Sequence, residues 1–302
     1  TLIFGLWFGY FGHNFVFHGL YLFGLSLTFF TGLLLAAALW PWRKAFPVAS
    51  YAYAHLGRVD LERAAFFVMA VATLGSALFG AVTGSYWGNG HETFLAEDIL
   101  REPEKSGLQL AIIGHLHIML TLVAVALALT VGRWLDFKGL LHKISMPLFI
   151  VGTVIITLGV WAVVPFEPIA HSIIYAGSTI VLLAALFLVI FGFDKLIRER
   201  IAEQGLKAPT LQQKLAALVY DPLKFGALWQ MVYMNFVVSF PGIFMAIKLE
   251  EIFRVWPLRQ ERVILTGHWH VLAGIIATII LLYYADLAGL KGKARRVFGW
   301  TI

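Results

Sequence analysis

The chain has 302 residues, none of which is cysteine, and few of them are charged. Without a thiol it cannot form disulfides, thiolate metal sites or cysteine-ligated iron–sulfur clusters, and it lacks the Cys-x-x-Cys-His motif that attaches c-type haem. Only 13% of the residues are charged, whereas 60% are hydrophobic and the mean hydropathy is +0.82. This composition excludes a soluble globular domain.

Uncharged apolar runs make up most of the sequence. A membrane-spanning helix needs about 20 predominantly apolar residues, and seven runs reach that length, at 14–40, 64–88, 108–132, 145–166, 169–193, 225–247 and 264–285. We therefore expect an all-α integral membrane bundle of about seven transmembrane helices, with 1–302 forming a single domain. The stretch 194–224 indicates one or two amphipathic helices on the cytoplasmic surface.

The start of the chain does not resemble a signal peptide, and its end is again hydrophobic. It begins with Thr1, lacks the basic start of a signal peptide, and becomes hydrophobic again over 297–302. We expect residues to be missing at both ends, and an eighth helix after the seventh is left open.

The net charge of +6 is divided unequally among the connecting segments. The segments 41–63, 133–144, 194–224 and the tail from Asp286 together carry +9, and the remainder carries −3. Because cytoplasmic loops are enriched in Lys and Arg, this pattern predicts that the amino terminus lies outside. The positive charge then indicates contact with anionic lipids rather than nucleic acid. We expect a multi-pass protein of the prokaryotic cell (inner) membrane.

Two segments share the pattern Gly-His-x-His, at 114–117 and 267–270, and each opens an apolar run. Histidine is costly in hydrocarbon, so an intramembrane histidine is by default a candidate functional residue. Residues i and i+2 of a helix lie about 200° apart, because each residue turns about 100°. Each pair can therefore ligate two different centres, one on either side of its helix.

The other histidines cluster with these motifs. With the amino terminus outside, eight of ten histidines fall in or beyond the outer half of the membrane: His13, His18, His91, His115, His117, His171, His268 and His270. His55 and His142 are expected at the cytoplasmic interface. Taken singly, His13, His91 and His171 also fit a packing or solvated role, but two identical motifs at matching depth favour a shared site.

The residue types around the motifs favour haem over a bare metal ion. Imidazole suits iron, copper and zinc alike, but the two helices lack the acidic residues that often complete a zinc or copper site. We expect two or three b-type haems near the outer face, ligated by His115, His117, His268 and His270, and we do not expect copper. His18 and His171 would meet the two histidines that face away, with His13 as a further ligand in the three-haem arrangement. Spacing does not fix which histidine pairs with which.

Small residues next to the histidines allow two interpretations. Glycines recur along the second run and precede each motif, at Gly75, Gly80, Gly84, Gly88, Gly114 and Gly267. Such a face admits either a flat macrocycle or a neighbouring helix, and both alternatives stay open. In the sixth run, the sequence Ser-Phe-Pro-Gly at 239–242 predicts a kink, which either opens a pocket for a quinone head or water or is simply tolerated.

The segment Thr-Gly-His-Trp-His-Val-Leu-Ala-Gly at 266–274 resembles the haem–copper oxidase catalytic subunit family. The His-x-His helix of that family carries one ligand for each of two haems near the outer face, and 114–117 is a second such element. The resemblance covers only these short segments and implies His-x-His ligation of haem. The chain departs from the family because it is much shorter and lacks the adjacent histidines, and the helix with neighbouring His and Tyr, that bind copper.

We therefore expect a multihaem b-type cytochrome subunit of a quinol-linked oxidoreductase complex. It would pass electrons between the quinone pool and an outer-face partner such as a cytochrome c or an iron–sulfur protein. Quinol oxidation releases protons, for which Glu167, held between Pro165 and Pro168, and Glu92 are candidate acceptors; both also fit a solvated loop role. Two alternatives stay open: a shortened haem–copper-oxidase-like terminal reductase for oxygen or nitric oxide, and a non-redox haem handler or proton-coupled transporter.

Overall fold

The computed structural model describes residues 3–4, 7, 11, 14–43, 53–86, 107–253 and 255–302. Within these ranges the chain forms ten α-helices, two short π-helices and one small β-hairpin. In chain order these are α1 (Phe15–Leu39), β1 (His55–Leu56), β2 (Val59–Asp60), α2 (Leu61–Tyr86), α3 (Gly107–Trp134), α4 (Leu140–Trp161), α5 (Val163–Glu203), α6 (Leu211–Leu218), α7 (Pro222–Val232), π1 (Tyr233–Val238), α8 (Ser239–Ile247), π2 (Leu249–Phe253), α9 (Leu258–Leu287) and α10 (Gly292–Thr301).

Seven of the described helical segments are long and apolar enough to cross a membrane. They are α1 to α5, the continuous segment α7–π1–α8, and α9. The predicted all-α membrane bundle is therefore confirmed, and the chain is a multi-pass membrane protein. We call the end that holds 114–117 and 267–270 the histidine end, and the end that holds the basic connecting segments the basic end.

The fifth helix is longer than its apolar run. It has 41 residues, so 194–203 continues α5 beyond the hydrophobic part, and within 194–224 the helix Leu211–Leu218 stands alone as a short separate element. Ion pairs one helical turn apart stabilise this polar extension, among them Lys195 with Glu199 at 3.1 Å. The segment that composition indicates as amphipathic is thus partly an extension of a membrane helix.

Helices α4 and α5 form a closely packed antiparallel hairpin. A Cβ atom at Gly177 would lie 2.6 Å from the backbone nitrogen of Ile156, and one at Gly152 would lie 2.8 Å from Val181. In a membrane such small residues let two helix backbones approach and gain van der Waals contact. The largest buried cluster continues from this hairpin to α3 and α7, and it includes the fully buried side chains Phe149, Leu188, Leu228 and Met231.

The sixth span is interrupted by π1. Proline lacks an N–H, and its ring clashes with the carbonyl four residues earlier, so Pro241 cannot follow a regular α-helical turn without a local change. The wider π-helical turn ends at Val238, immediately before α8. Inside it, buried Asn235 donates to the carbonyl of Met231 at 2.7 Å, which satisfies the amide N–H₂ within the bundle. The sequence predicts a kink at 239–242, and the structure has a π-helix immediately before these residues.

A polar network closes the basic end around His142. The sequence predicts that this residue lies at the cytoplasmic interface, and in the structure its side chain is fully buried at the basic end. Its Nδ1 accepts a hydrogen bond from the backbone N–H of Ala54 at 2.9 Å, so the proton resides on Nε2, which donates to Glu62 at 3.3 Å. The imidazole therefore joins the hairpin, α2 and α4, which explains why burial is tolerated.

The turn between α3 and α4 carries charges at the same end. Asp136 adopts a φ of +50° and accepts a hydrogen bond from the Tyr53 hydroxyl at 2.5 Å and another from Lys138 at 2.5 Å. Partial burial raises the pKa of Asp136, but the hydrogen bonds from Lys138 and Tyr53 outweigh it, so the pKa lies below its usual value. Gly139, with a φ of +85°, completes a turn conformation that L-residues rarely adopt.

Arg295 fastens α10 to the bundle. Its guanidinium donates to both carboxylate oxygens of Asp221 at 2.8 Å and also contacts Asp286. Asp286 in turn accepts a hydrogen bond from the indole of Trp134 at 2.5 Å. Because a bidentate arginine pair fixes direction as well as distance, these contacts hold α3, α7, α9 and α10 together at the basic end.

Candidate functional site: paired histidines between two membrane helices

The two Gly-His-x-His segments lie on α3 and α9, which contact each other in the bundle. His117 lies on α3 and His268 on α9, and positive charges on the two imidazoles would repel each other across this pair of helices. One histidine from each motif is therefore a candidate for a shared site between α3 and α9. This pair is the core of the candidate site.

The ring of His117 is oriented by its own helix. Its Nδ1 lies 2.8 Å from the carbonyl oxygen of Ile113, one turn earlier. Because a carbonyl oxygen can only accept, Nδ1 carries the proton and Nε2 carries the lone pair in this arrangement. Metal-ligating histidines characteristically donate their other ring N–H to a backbone carbonyl or carboxylate. The tautomer of His117 is thus the one that ligates a metal through Nε2.

The ring of His268 lies against α8 at Gly242. A Cβ at this position would lie 2.6 Å from Cε1 and 2.7 Å from Nε2 of His268, so any larger residue would displace the imidazole. Gly242 follows π1 and Pro241, the irregular part of the sixth span. A π-helical turn inside a helix often marks a functional site, and here Gly242, which lacks a side chain, follows that turn and lies against the Nε2 edge of His268.

The second histidine of the α3 motif faces a different neighbour. The Nδ1 of His115 donates to the carbonyl oxygen of Ser76 on α2 at 2.9 Å, and its ring fills the space over Gly80. His115 therefore lies between α3 and α2, away from the α9 side where His117 meets His268. Like His117, it holds its proton on Nδ1 and its lone pair on Nε2.

The second histidine of the α9 motif lies on an exposed face. His270 is exposed, and a Cβ added at Gly267 or Gly274, on the same face, would have no heavy atom of another residue within 4 Å. These residues are three and four positions from His270, so they flank it above and below on one helix face.

The remaining predicted ligands are less closely associated with the pair. His171 is exposed on α5, where its ring stacks on Tyr175 at a centroid distance of 6.3 Å. His18 is half-buried on α1, which runs along α2. His13 lies outside the described residues, as does His91.

Of the two predicted proton acceptors, only Glu167 lies among the residues that the structure describes. Glu167 is half-buried and follows Phe166, whose backbone is non-helical and bends the start of α5. It therefore belongs to a bent helix start rather than to a loop. Glu92 lies outside the described residues.

The glycines near the motifs mostly serve helix packing. A Cβ added at Gly75 would meet the ring of Trp161, one at Gly80 would meet His115, and one at Gly114 would meet Val160. At these three positions the small residue lets a neighbouring side chain pack against the helix. Gly88 lies outside the described residues, and the surroundings of Gly84 are not described.

The donor set at this site is imidazole alone. Among the described residues, no group of three or more His, Cys, Asp or Glu side chains could hold a bare metal ion. A six-coordinate haem needs only two protein ligands, one on each face, and His117 and His268 supply two imidazoles from facing helices. Two imidazoles from contacting helices are a donor set that could hold a haem.

Two buried titratable residues escaped the sequence analysis. One is His142 at the basic end, whose burial depends on the distant partner Ala54. The other is Glu261, which is only 1% exposed in the first turn of α9. Glu261 precedes His268 by seven residues, and this heptad spacing was the signal that would have placed both on one helix face.

In comparisons with known proteins, no family model, no curated protein and no solved structure matches this chain.

Proposed function

We propose that this chain is a b-type cytochrome subunit that carries electrons between membrane quinol and a redox partner at the outer face. The observation that carries the proposal is the contact between α3 and α9, the two helices with Gly-His-x-His motifs, across which the charges of His117 and His268 would interact. In support, the hydrogen bond from His117 to Ile113 leaves the lone pair on the nitrogen that ligates iron.

In this proposal the protein's own residues position the ligands. His117 and His268 would hold a haem as axial ligands, and the carbonyl of Ile113 would fix the ring of His117 and increase its basicity. Gly242 would keep side-chain atoms away from Nε2 of His268. The haem, when bound, supplies a centre that takes up and releases single electrons.

The other motif histidines are proposed ligands of further haems. His115 lies on the α2 side of α3, and His270 lies on the exposed face of α9, so each would need a ligand from elsewhere. His18, His171 and His13 remain the candidates for that role. A total of two or three haems is thus part of the proposal, together with an additional subunit that covers the exposed helices.

Orientation is proposed from charge. Because the basic end carries most of the Lys and Arg residues, it would face the cytoplasm of a prokaryotic cell, and the histidine end would face outward. Quinol oxidation near the outward end releases protons, and Glu167 and Glu92 remain candidate acceptors. The electron acceptor would be a cytochrome c or an iron–sulfur protein docked at that face.

The test is a pair of absorption spectra of the purified protein, oxidised and reduced with dithionite, with a pyridine haemochrome determination of haem per chain. We expect at least two b-type haems with sharp low-spin bands that do not change under carbon monoxide. A carbon-monoxide-sensitive fraction would instead favour the terminal reductase. Absence of haem in protein expressed with a full haem supply would refute the proposal and leave the histidines to proton transport.

A further inference from the structure

Glu261 is a buried carboxylate at the histidine end. Its side chain is 1% exposed, and among the Asp and Glu residues whose side chains the structure describes it alone is buried. An ionised carboxylate away from water costs several kcal/mol unless its surroundings compensate for it. Its place in the first turn of α9 is one such compensation, because the helix amino terminus favours negative charge, and Glu261 is not without a partner in the structure.

Glu261 lies on the same face of α9 as His268, one member of the histidine pair. Glu261, His268, Ile275 and Leu282 follow one another at intervals of seven residues, and the two apolar members are buried, so this face of α9 points into the bundle. Seven residues correspond to about 10 Å along a helix. Glu261 therefore lies two turns beyond His268, toward the end of the bundle at which α9 begins.

Other acidic residues near the histidine end do not combine full burial with a place on the inward face of a motif helix. Glu251 in π2 is exposed and forms an ion pair with Lys248 at 2.6 Å. Glu167 is half-buried and lies on α5 rather than on a motif helix. Among the described residues, Glu261 alone joins full burial to a place on the inward face of a helix that carries the histidine pair.

We propose that Glu261 accepts the protons that quinol releases on oxidation beside His268 and passes them to water at the outer surface. This inference rests on the proposed function. Each quinol loses two electrons, for which the proposed haem would be the one-electron acceptor, and two protons, whose bonds to the quinol oxygens break. Each proton binds the Glu261 carboxylate and leaves it for water before the next arrives, so that the residue ends in the state in which it began.

The first experiment needs no bound haem. A hydrophobic carbodiimide such as dicyclohexylcarbodiimide adds to protonated carboxyl groups in apolar surroundings and leaves a stable acylurea that mass spectrometry can map. In the whole protein in membranes we expect labelling of Glu261 and little labelling of Glu251, with protection of Glu261 by excess short-chain ubiquinone. Labelling of Glu261 no greater than that of Glu251, or labelling that ubiquinone does not reduce, would overturn the proposal.

The second experiment separates this inference from the proposed function. We expect Glu261→Gln to keep the haem spectrum of the wild type but to slow haem reduction by quinol about 100-fold, the range typical of a lost general base. Glu261→Asp, which keeps the carboxyl group, should recover much of the rate, and the matched variant Glu251→Gln should behave like the wild type.

The outcomes are distinct. A wild-type protein that binds no haem, or whose haem quinol does not reduce, would refute the proposed function. A wild-type protein that quinol reduces, together with a Glu261→Gln variant of equal rate, would refute the role of Glu261 alone. Loss of haem from the Gln variant but not from the Asp variant would also count against the proposal. Glu261 would then stabilise the folded haem site rather than accept protons.

Discussion

The substitution Gly80→Ala tests the packing of His115 without any bound cofactor. The added Cβ would lie 2.5 Å from both Nδ1 and Cε1 of the imidazole, whereas ordinary van der Waals contact begins at 3.4 Å. The ring must therefore move by about 1 Å, a shift that a well-packed interior resists. This movement would break the hydrogen bond from Nδ1 to the carbonyl of Ser76, now 2.9 Å.

The expected magnitude follows from three contributions. Overpacking a well-packed core costs about 1–3 kcal/mol, and loss of a hydrogen bond by a buried donor costs about 1–3 kcal/mol. Replacing glycine by alanine in a helix returns about 1 kcal/mol. We therefore expect Gly80→Ala to lower the free energy of unfolding by about 3 kcal/mol, within a range of about 1–5 kcal/mol.

Unfolding in mixed detergent micelles, followed by circular dichroism, measures this change. The matched variant is Gly274→Ala, which gains the same helix propensity at a position with no heavy atom within 4 Å of the new Cβ. We expect this control to be as stable as the wild type or slightly more stable. Equal stability of the two alanine variants would show that the ring of His115 does not occupy the space over Gly80.

Three further substitutions probe the basic end. His142→Ala removes the acceptor of the Ala54 N–H and opens a cavity, so we expect the same detergent titration to show a loss of about 2–4 kcal/mol. The lowered pKa of Asp136 means that this residue contributes stability above about pH 4, which is lost as the pH falls through its folded pKa. We expect the thermal midpoint to fall on acidification, and to fall less in Asp136→Asn. Arg295→Ala releases α10 from Asp221, and we expect faster limited proteolysis near the carboxyl end.

Matched variants make these results specific. Lys143→Ala removes an exposed side chain next to His142 and should change the free energy of unfolding by less than about 0.5 kcal/mol. Arg296→Ala removes an exposed neighbour of Arg295 and should leave the proteolysis rate of α10 unchanged. Equal effects of either matched pair would mean that the contacts described at the basic end do not stabilise the fold.

The membrane fold was predictable because a helix that crosses the hydrocarbon core must reach a minimum length and carry few charged residues. Each of the seven expected runs corresponds to a spanning segment, and the errors lie at the helix ends. Extension of α5 to Glu203 could not be read from hydropathy, because ion pairs such as Lys195 with Glu199 hold a polar helix together. The sequence likewise predicted an interruption near Pro241 but not that it would be a π-helix, because this depends on whether the helical turns before the proline can widen.

The site was predictable only in part, because spacing gives direction around one helix but not the neighbour it meets. The position of His117 on one side of α3 and His115 on the other agrees with the angle between i and i+2. The contacts of His268 with Gly242 and of His115 with Gly80 join residues far apart in sequence. The burial of His142 escaped prediction for the same reason, since its partner Ala54 is 88 residues away.

The most direct measurement of the central claim is haem content per chain in His117→Ala, His268→Ala and the double variant. If the two residues hold the same haem, each single variant loses one haem and the double variant loses no more than either, because the second substitution removes a ligand from a site already empty. His142→Gln serves as the matched variant and should keep the full haem content. Losses that add in the double variant, or single variants that retain every haem, would contradict the account.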